Sequence, residues 1–313
     1  MVDRIITDSA EPSPLLVVGS VAFDNVITPY GSQDGILGGA ASYCSFAASY
    51  FTQPRMVGVI GNDFGEEYVE RLRNRGIDLE GLQKDETGPT FFWKGKYHEN
   101  FNRRDTLDIQ LNVFEKFLPN LPESYMDSSF VLLGNIHPSL QMHVLDQLKE
   151  NSFVLADTID LWIETEKDAL LELIKKVSLF VINDTEAEEL TQENNIILAG
   201  QKLREFGPET VIIKKGEHGA ILFHEDGSFA IPAYPVTELR DPTGAGDSFA
   251  GALIGRLASR NRTDFSAIKE AILYGTCVAS LTVESFGCDR LESAGSSEIE
   301  KRVEDLRKLI SVD

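Results

Sequence analysis

The chain has 313 residues, with 29 Lys or Arg against 50 Asp or Glu and a formal net charge of −21. That acidity argues against a general nucleic-acid or anionic-membrane binder, which needs a basic face, but leaves room for a small, locally positive nucleotide site. At 42% hydrophobic and 25% charged, the composition is that of an ordinary soluble protein able to bury a large core.

Residues 1–14 carry Asp and Glu and no apolar stretch, so they do not read as a secretory signal. Short β-branched runs follow at residues 15–20, 55–60, 130–133, 153–156, 179–182, 210–214 and 220–224, too short to span a bilayer. Their near-continuous apolar character predicts strands buried on both faces, as in a parallel sheet. Between them, helix-period segments are expected at 40–50, 64–75, 139–149, 166–176, 186–191, 199–206, 247–260 and 265–283, with a last helix at 297–310. The alternation predicts right-handed crossovers and a three-layer α/β/α sandwich with a mainly parallel sheet, in one domain over residues 1–313. Two polar, Gly-bearing and aromatic stretches, 26–37 and about 88–110, break the rhythm. They predict a small accessory β-sheet, either an edge hairpin or a lid over a substrate cleft. Cys44, Cys277 and Cys288 are odd in number and lack a C-x-x-C spacing, which favours a reducing, cytoplasmic compartment.

The stretch with the most chemistry is Asp241-Pro-Thr-Gly-Ala-Gly-Asp247, directly before a helical run. Glycines at a helix entrance let a ligand approach the backbone, and first-turn N–H groups attract anions. Gly244, Ala245 and Gly246 therefore read as an anion hole, and Asp247 as a base that takes a proton from an attacking hydroxyl. The plainer reading is a Gly-containing helix cap, to which the two flanking acids would be foreign. Asp24 follows the first strand, where a carboxylate suits a polyol, and Gly38-Gly39 opens the next helix. Asn183 and Glu186 at i and i+3 suit Mg²⁺ and equally form a capping box; the two readings are compatible. Lys214-Lys-Gly216-Glu-His-Gly219 ends a strand with positive charge, as a phosphate-facing loop or a hairpin turn. No P-loop, G-x-S-x-G elbow or G-x-G-x-x-G is present, and the five histidines form no metal spacing.

In this order the motifs resemble the ribokinase-like (PfkB) family of carbohydrate and nucleoside kinases, over nearly the whole chain from about Leu15 to Val312. The Asp241–Asp247 segment looks like the family's C-terminal signature. Gly38-Gly39, Gly61-Asn-Asp63-Phe-Gly65, Asn183-x-x-Glu186 and Lys215-Gly216-x-x-Gly219 support it. The resemblance implies an ATP-dependent, Mg²⁺-using phosphotransferase acting on a hydroxyl of a small sugar-like acceptor. A nucleoside or vitamin kinase is the alternative, and a non-catalytic sugar or nucleotide sensor the remoter one. It implies Asp247 as base and Gly244, Ala245 and Gly246 as the anion hole. Asp24, Gly38, Gly39, Tyr43 and Asn135 would face the acceptor. Asn183, Lys214, Gly216, Gly219, Thr243 and Gly287 would face the nucleotide, with Glu186 and Asn183 organising Mg²⁺ through water. Tyr43 departs from the family pattern, which has Asn there to contact substrate hydroxyls; Asn135, Phe92 and Arg104 are candidates to compensate, an aromatic equally suits a ringed substrate, and Tyr43 could simply face the core. Pairing of two copies through the lid is expected, with neither nucleic acid nor membrane as partner.

Overall fold

The computed structural model describes residues 3–5, 12–101, 103–149 and 152–311. Its strands are β1 (Leu15–Val18), β2 (Ala22–Thr28), β3 (Gly31–Gly38), β4 (Pro54–Ile60), β5 (Asp78–Lys84), β6 (Phe91–Tyr97), β7 (Arg104–Gln110), β8 (Phe130–Leu133), β9 (Phe153–Asp157), β10 (Leu179–Asn183), β11 (Thr210–Lys214), β12 (Ala220–His224) and β13 (Gly227–Ile231). The helices are α1 (Ala40–Ala48), α2 (Glu66–Asn74), α3 (Pro138–Leu145), α4 (Asp160–Thr165), α5 (Lys167–Ile174), α6 (Asp184–Thr191), α7 (Ile196–Glu205), α8 (Ala245–Arg260), α9 (Phe265–Thr282), α10 (Asp289–Ser293) and α11 (Ser296–Ile310). Val312, taken as the end of the resemblance, and Asn102, within the 88–110 stretch, lie outside the described residues.

Nine strands form the central sheet in the order β13-β12-β11-β10-β9-β8-β1-β4-β5. From β11 to β5 all neighbours are parallel. Successive side chains alternate between the faces: Leu15, Val17, Leu132, Leu155 and Val181 enter one core, while Leu16, Val18, Leu133, Ala156 and Ile182 enter the other. A strand covered on both faces has no polar face, which is why these runs read as unbroken apolar sequence. Residues 220–224 return antiparallel, β12 on β11 and β13 on β12, as the hairpin reading of the 214–219 loop requires. Strands β5 and β13 escaped the sequence reading because they are sheet edges, where one buried face suffices and the sequence stays polar.

A second sheet, β3-β2-β6-β7, grows from the first half of the chain. It contains both irregular stretches, but its first hairpin begins at Ala22 and ends at Gly38, beyond the expected 26–37. Asp24 therefore does not end the first central strand, which stops at Val18; it lies inside lid strand β2. Strand β7 is exposed along its whole length.

Two glycines set the relation of the two helices that matter most. A Cβ on Gly251 would overlap the backbone carbonyl of Cys44, and one on Gly255 would stand 2.9 Å from Ala48 Cα. Helices α1 and α8 therefore pack backbone to backbone. Residues 248–259 of α8 are all buried, since α1, α9 and the sheet cover the helix on every side. This packing brings the entrances of α1 and α8 together at the carboxyl ends of the parallel strands. Gly251→Val is expected to force the helices apart and to lower stability by about 1–3 kcal/mol, as overpacking does; urea unfolding checks it, and a midpoint unchanged from wild type would refute it.

Candidate active site

At the entrance of α8 the chain turns through Gly244, whose φ of 75° is left-handed. Glycine is demanded twice there, since any Cβ would also overlap the ring of Tyr43. The turn is held from below: fully buried Asp241 accepts the Thr243 N–H through Oδ1 at 2.9 Å, and Ser248 Oγ donates to the Gly244 carbonyl at 2.8 Å. Thr282 Oγ1 on α9 donates in turn to Ser248 Oγ at 2.8 Å. The Ala245 N–H is spent on Pro242 O, whereas Gly246 N–H has no backbone partner among the described residues. The result is a rigid, anion-attracting helix start.

Asp247 is the third residue of α8, and its carbonyl accepts from Cys44 Sγ at 3.2 Å, again linking α8 to α1. Burial and the nearby Asp157 charge push its carboxyl up to about 6, against Lys214 and Arg104. Lys214 ends β11 and reaches Asp157 at the end of β9, Nζ lying 3.2 Å from Oδ2 and 3.5 Å from Oδ1. Glu186 is buried close by, its carboxyl raised to about 7 by burial, with Lys214 opposing and Asp157 and Asp160 adding to the rise. Its Oε2 accepts the Asn183 N–H at 3.0 Å while Asn183 Oδ1 accepts the Glu186 N–H at 2.8 Å, so the capping box is complete.

On β2, Asp24 is only 3% exposed, its carboxyl pressed over Gly38 so closely that a Cβ there would overlap it. Burial first, then the Asp241 and Asp247 charges, raise it to about 8; the Gly39 N–H and Arg104 oppose the rise. The lid reaches the α8 turn through a Thr243–Tyr97 hydroxyl hydrogen bond of 3.2 Å. Arg104 on β7 stands by the Tyr97 phenol and packs 5.5 Å from the centre of the Trp93 ring. The α8 entrance thus gathers a carboxylate from a lid strand, a second at the helix start, an anion-attracting turn and a paired ammonium.

The family description "pfkB family carbohydrate kinase" matches residues 16–294. The chain belongs to the PfkB family. A cytidine kinase of Thermococcus kodakarensis is 32% identical over 251 residues, 77% of this chain and 87% of the relative. Among solved structures, a Burkholderia thailandensis nucleoside kinase in complex with ADP-inosine superposes with a TM-score of 0.79 at 20% identity, covering 96% of this chain and all of that one. An Arabidopsis thaliana ribokinase complexed with ribose and ATP gives 0.76 at 20% identity, covering 94% and 99%. Likeness at that identity fixes the ribokinase fold and not the acceptor, since sugar and nucleoside kinases share it.

Gly244, Ala245, Gly246 and Asp247 fall at one helix entrance, with Asp247 close enough to act on the Asp24 carboxyl that covers Gly38. Tyr43 is fully buried beneath Gly244, with no hydrogen-bond partner for its hydroxyl among the described residues. Asn135, half-buried beyond β8, accepts the Trp162 indole N–H at 2.8 Å through Oδ1. Phe92 lies half-buried on β6 in register with Gln110. Gly216 and Gly219 form the turn of the β11–β12 hairpin, where a Cβ on Gly219 would overlap Ile231 O, so the hairpin reading of that loop holds. The Thr243 hydroxyl turns to lid residue Tyr97, and a Cβ on Gly287 would overlap lid residue Ile36. The reason is that the loop after α9 packs under the lid, as Cys288 Sγ donating to Leu37 O also shows. Asp157 was missed outright. It ends a parallel strand with a carboxylate, the same signal that singled out Asp24, but the run was cut at Ala156.

Proposed function

We propose that this PfkB-family kinase transfers the γ-phosphoryl group of ATP to a hydroxyl of a nucleoside. The observation that carries the acceptor class is the 32% identity to a cytidine kinase over most of both chains. Tyr43, buried in the core beneath Gly244, does not bear on that choice, and on the identity alone the nucleoside alternative displaces the sugar-like acceptor as the favoured reading. A sensor would need no base, and Asp247 stands at the anion-attracting turn.

In this reading Asp24, with the Gly38 and Gly39 backbone, accepts hydrogen bonds from the sugar hydroxyls and orients the acceptor. Asp247 takes the hydroxyl proton as the oxygen attacks phosphorus. The Gly244–Gly246 amides stabilise charge gathering on the phosphoryl oxygens. No group of three or more His, Cys, Asp or Glu among the described residues could cage a metal. One buried carboxylate fits a Mg²⁺ that arrives with the nucleotide and keeps its waters. Glu186, capped by Asn183, would hold that ion through water, and the ion would neutralise phosphate charge.

ADP formation from ATP should be read separately with cytidine, other nucleosides, ribose and fructose. At least one nucleoside is expected to exceed both sugars in kcat/KM by about 100-fold, the scale on which a fitted polar pocket discriminates. A sugar turned over faster than every nucleoside would overturn the acceptor assignment.

A further inference from the structure

We propose that Tyr97 is a positioning residue of this site: its hydroxyl ties the accessory sheet to the Asp241–Asp247 turn, so that the lid, the turn and Arg104 are set as one unit. The inference rests on the kinase reading above and adds to it a residue that acts through Thr243 and Arg104, not on the reactants.

Tyr97 ends β6, and its ring is buried in a small apolar cluster with Val26 and Ile36, against which Trp93, Phe101 and Phe286 pack. Phe101, left-handed at φ 49°, lies along Tyr97 with ring centres 6.4 Å apart, and Tyr30 stacks on Phe101 at 5.7 Å. A phenylalanine at 97 would fill that space equally well, so the hydroxyl asks for a separate reason. A buried phenol without a partner is costly, and this one finds its partner outside the sheet. It meets Thr243 Oγ1 at 3.2 Å, across 146 residues of sequence. Among the described residues this is the one hydrogen bond between side chains that joins the accessory sheet to the Asp241–Asp247 segment. Apolar contacts are non-directional and let a lid settle in several positions, whereas a hydrogen bond from a fixed ring selects one.

Thr243 is placed to pass that position on. Its N–H donates to Asp241 Oδ1 at 2.9 Å, the Ala245 N–H donates to Pro242 O, and Gly244 between them is left-handed beside the Tyr43 ring. The main chain has no slack there, so a displaced Thr243 side chain carries the Gly244 turn with it. On the other side, Tyr97 is in register with Arg104 of β7, and cross-strand partners share one face of a sheet. The guanidinium stands by the phenol oxygen and 5.5 Å from the centre of the Trp93 ring. Its charge favours the ionised forms of both Asp24 and Asp247. One hydroxyl therefore adjoins the turn that would hold the phosphoryl group and the arginine that the accessory sheet presents to both carboxylates.

The test compares wild type with Tyr97→Phe, Thr243→Val and the double variant, by hydrogen exchange of the unliganded chain and by steady-state kinetics with ATP and cytidine. Tyr97→Phe keeps the ring and removes only the tie. Amides of residues 91–110 and 241–247 are then expected to exchange about fivefold faster, the factor that one net hydrogen bond is worth. The acceptor KM should rise by about the same factor, because fewer chains hold the lid in place, while the ATP KM stays within about twofold. With Arg104 no longer held, the acid limb of kcat, which Asp157 and Lys214 also govern, should move to higher pH. Thr243→Val should reproduce the exchange and KM changes, and the double variant should be no worse than either single one, since both break the same bond. A purely structural bond predicts faster exchange with the acceptor KM and the acid limb unchanged, which would overturn the proposal. Wild-type exchange in Tyr97→Phe, or single effects that multiply in the double variant, would overturn it too. So would a Thr243→Val that raises the ATP KM alone, since the threonine would then serve the nucleotide. If wild type turns over no nucleoside, the acceptor assignment fails instead, and the exchange measurement, which needs no acceptor, still decides the tie.

Discussion

Asp247→Asn is expected to lower kcat by about 10³-fold while ATP still binds within a few-fold of wild type, because the amide keeps the shape of the helix start but cannot take a proton. Isothermal titration with ATP beside a turnover assay separates the two effects; near-normal turnover would remove Asp247 from the role of base. The pH dependence adds a second, independent reading. A base must be ionised to work, and this carboxyl is pushed up to about 6 by burial and by Asp157, with Lys214 pulling the other way. In wild type, kcat at saturating ATP and acceptor should therefore fall about tenfold per unit below pH 6 and level off above it. Asp157→Asn removes a negative charge that favours protonation, so the limb should move to lower pH. A limb at pH 4, or one that does not move in that variant, would show that the group titrating is not Asp247.

What the sequence makes legible follows from how each element is covered. Strands with both faces buried announce themselves as apolar runs, and Gly244 stands out because the left-handed turn over the Tyr43 ring tolerates nothing else. The lid was visible as a break in the helix–strand rhythm, though its sheet partners were not. Edge strands β5 and β13 stayed hidden because they need little apolar sequence. Long-range geometry was also out of reach. That Gly287 lies under Ile36 depends on how the loop after α9 packs beneath the lid, and that Gly251 meets Cys44 depends on two helices far apart in the chain. Even Asn183 and Glu186, correctly paired at i and i+3, show a complete cap. A capping box and a metal-organising pair look alike in sequence because the same two side chains can do both.

Asp24 exposes the conflict between stability and function most directly, and Asp24→Asn is the change that measures it. The folded protein holds this carboxyl at about 8, against an ordinary value of 3.8, because it is buried and faces the charges of Asp241 and Asp247. Between those values the folded state keeps a proton that the unfolded chain has released. The sign follows: stability is fully present below pH 4 and is lost as pH rises from about 4 through 8, by up to about 1.4 kcal/mol per unit and about 6 kcal/mol in all. Asparagine has the same shape and no charge, and it can still accept the Gly39 N–H. The variant should therefore lose this slope and melt several degrees higher at pH 8, with little gain at pH 4. It should also lose acceptor binding, because each hydrogen bond from a hydroxyl to an ionised carboxylate is worth about 1.5–3 kcal/mol. An acceptor KM raised at least tenfold, with the ATP KM unchanged, is the expected split. In wild type the same ionisation makes acceptor affinity rise with pH up to about 8, where an empty-site proton no longer has to be expelled. Parallel melting curves for the two proteins across pH 4–8 would show that Asp24 carries no such cost, and an unchanged acceptor KM would remove it from the binding site.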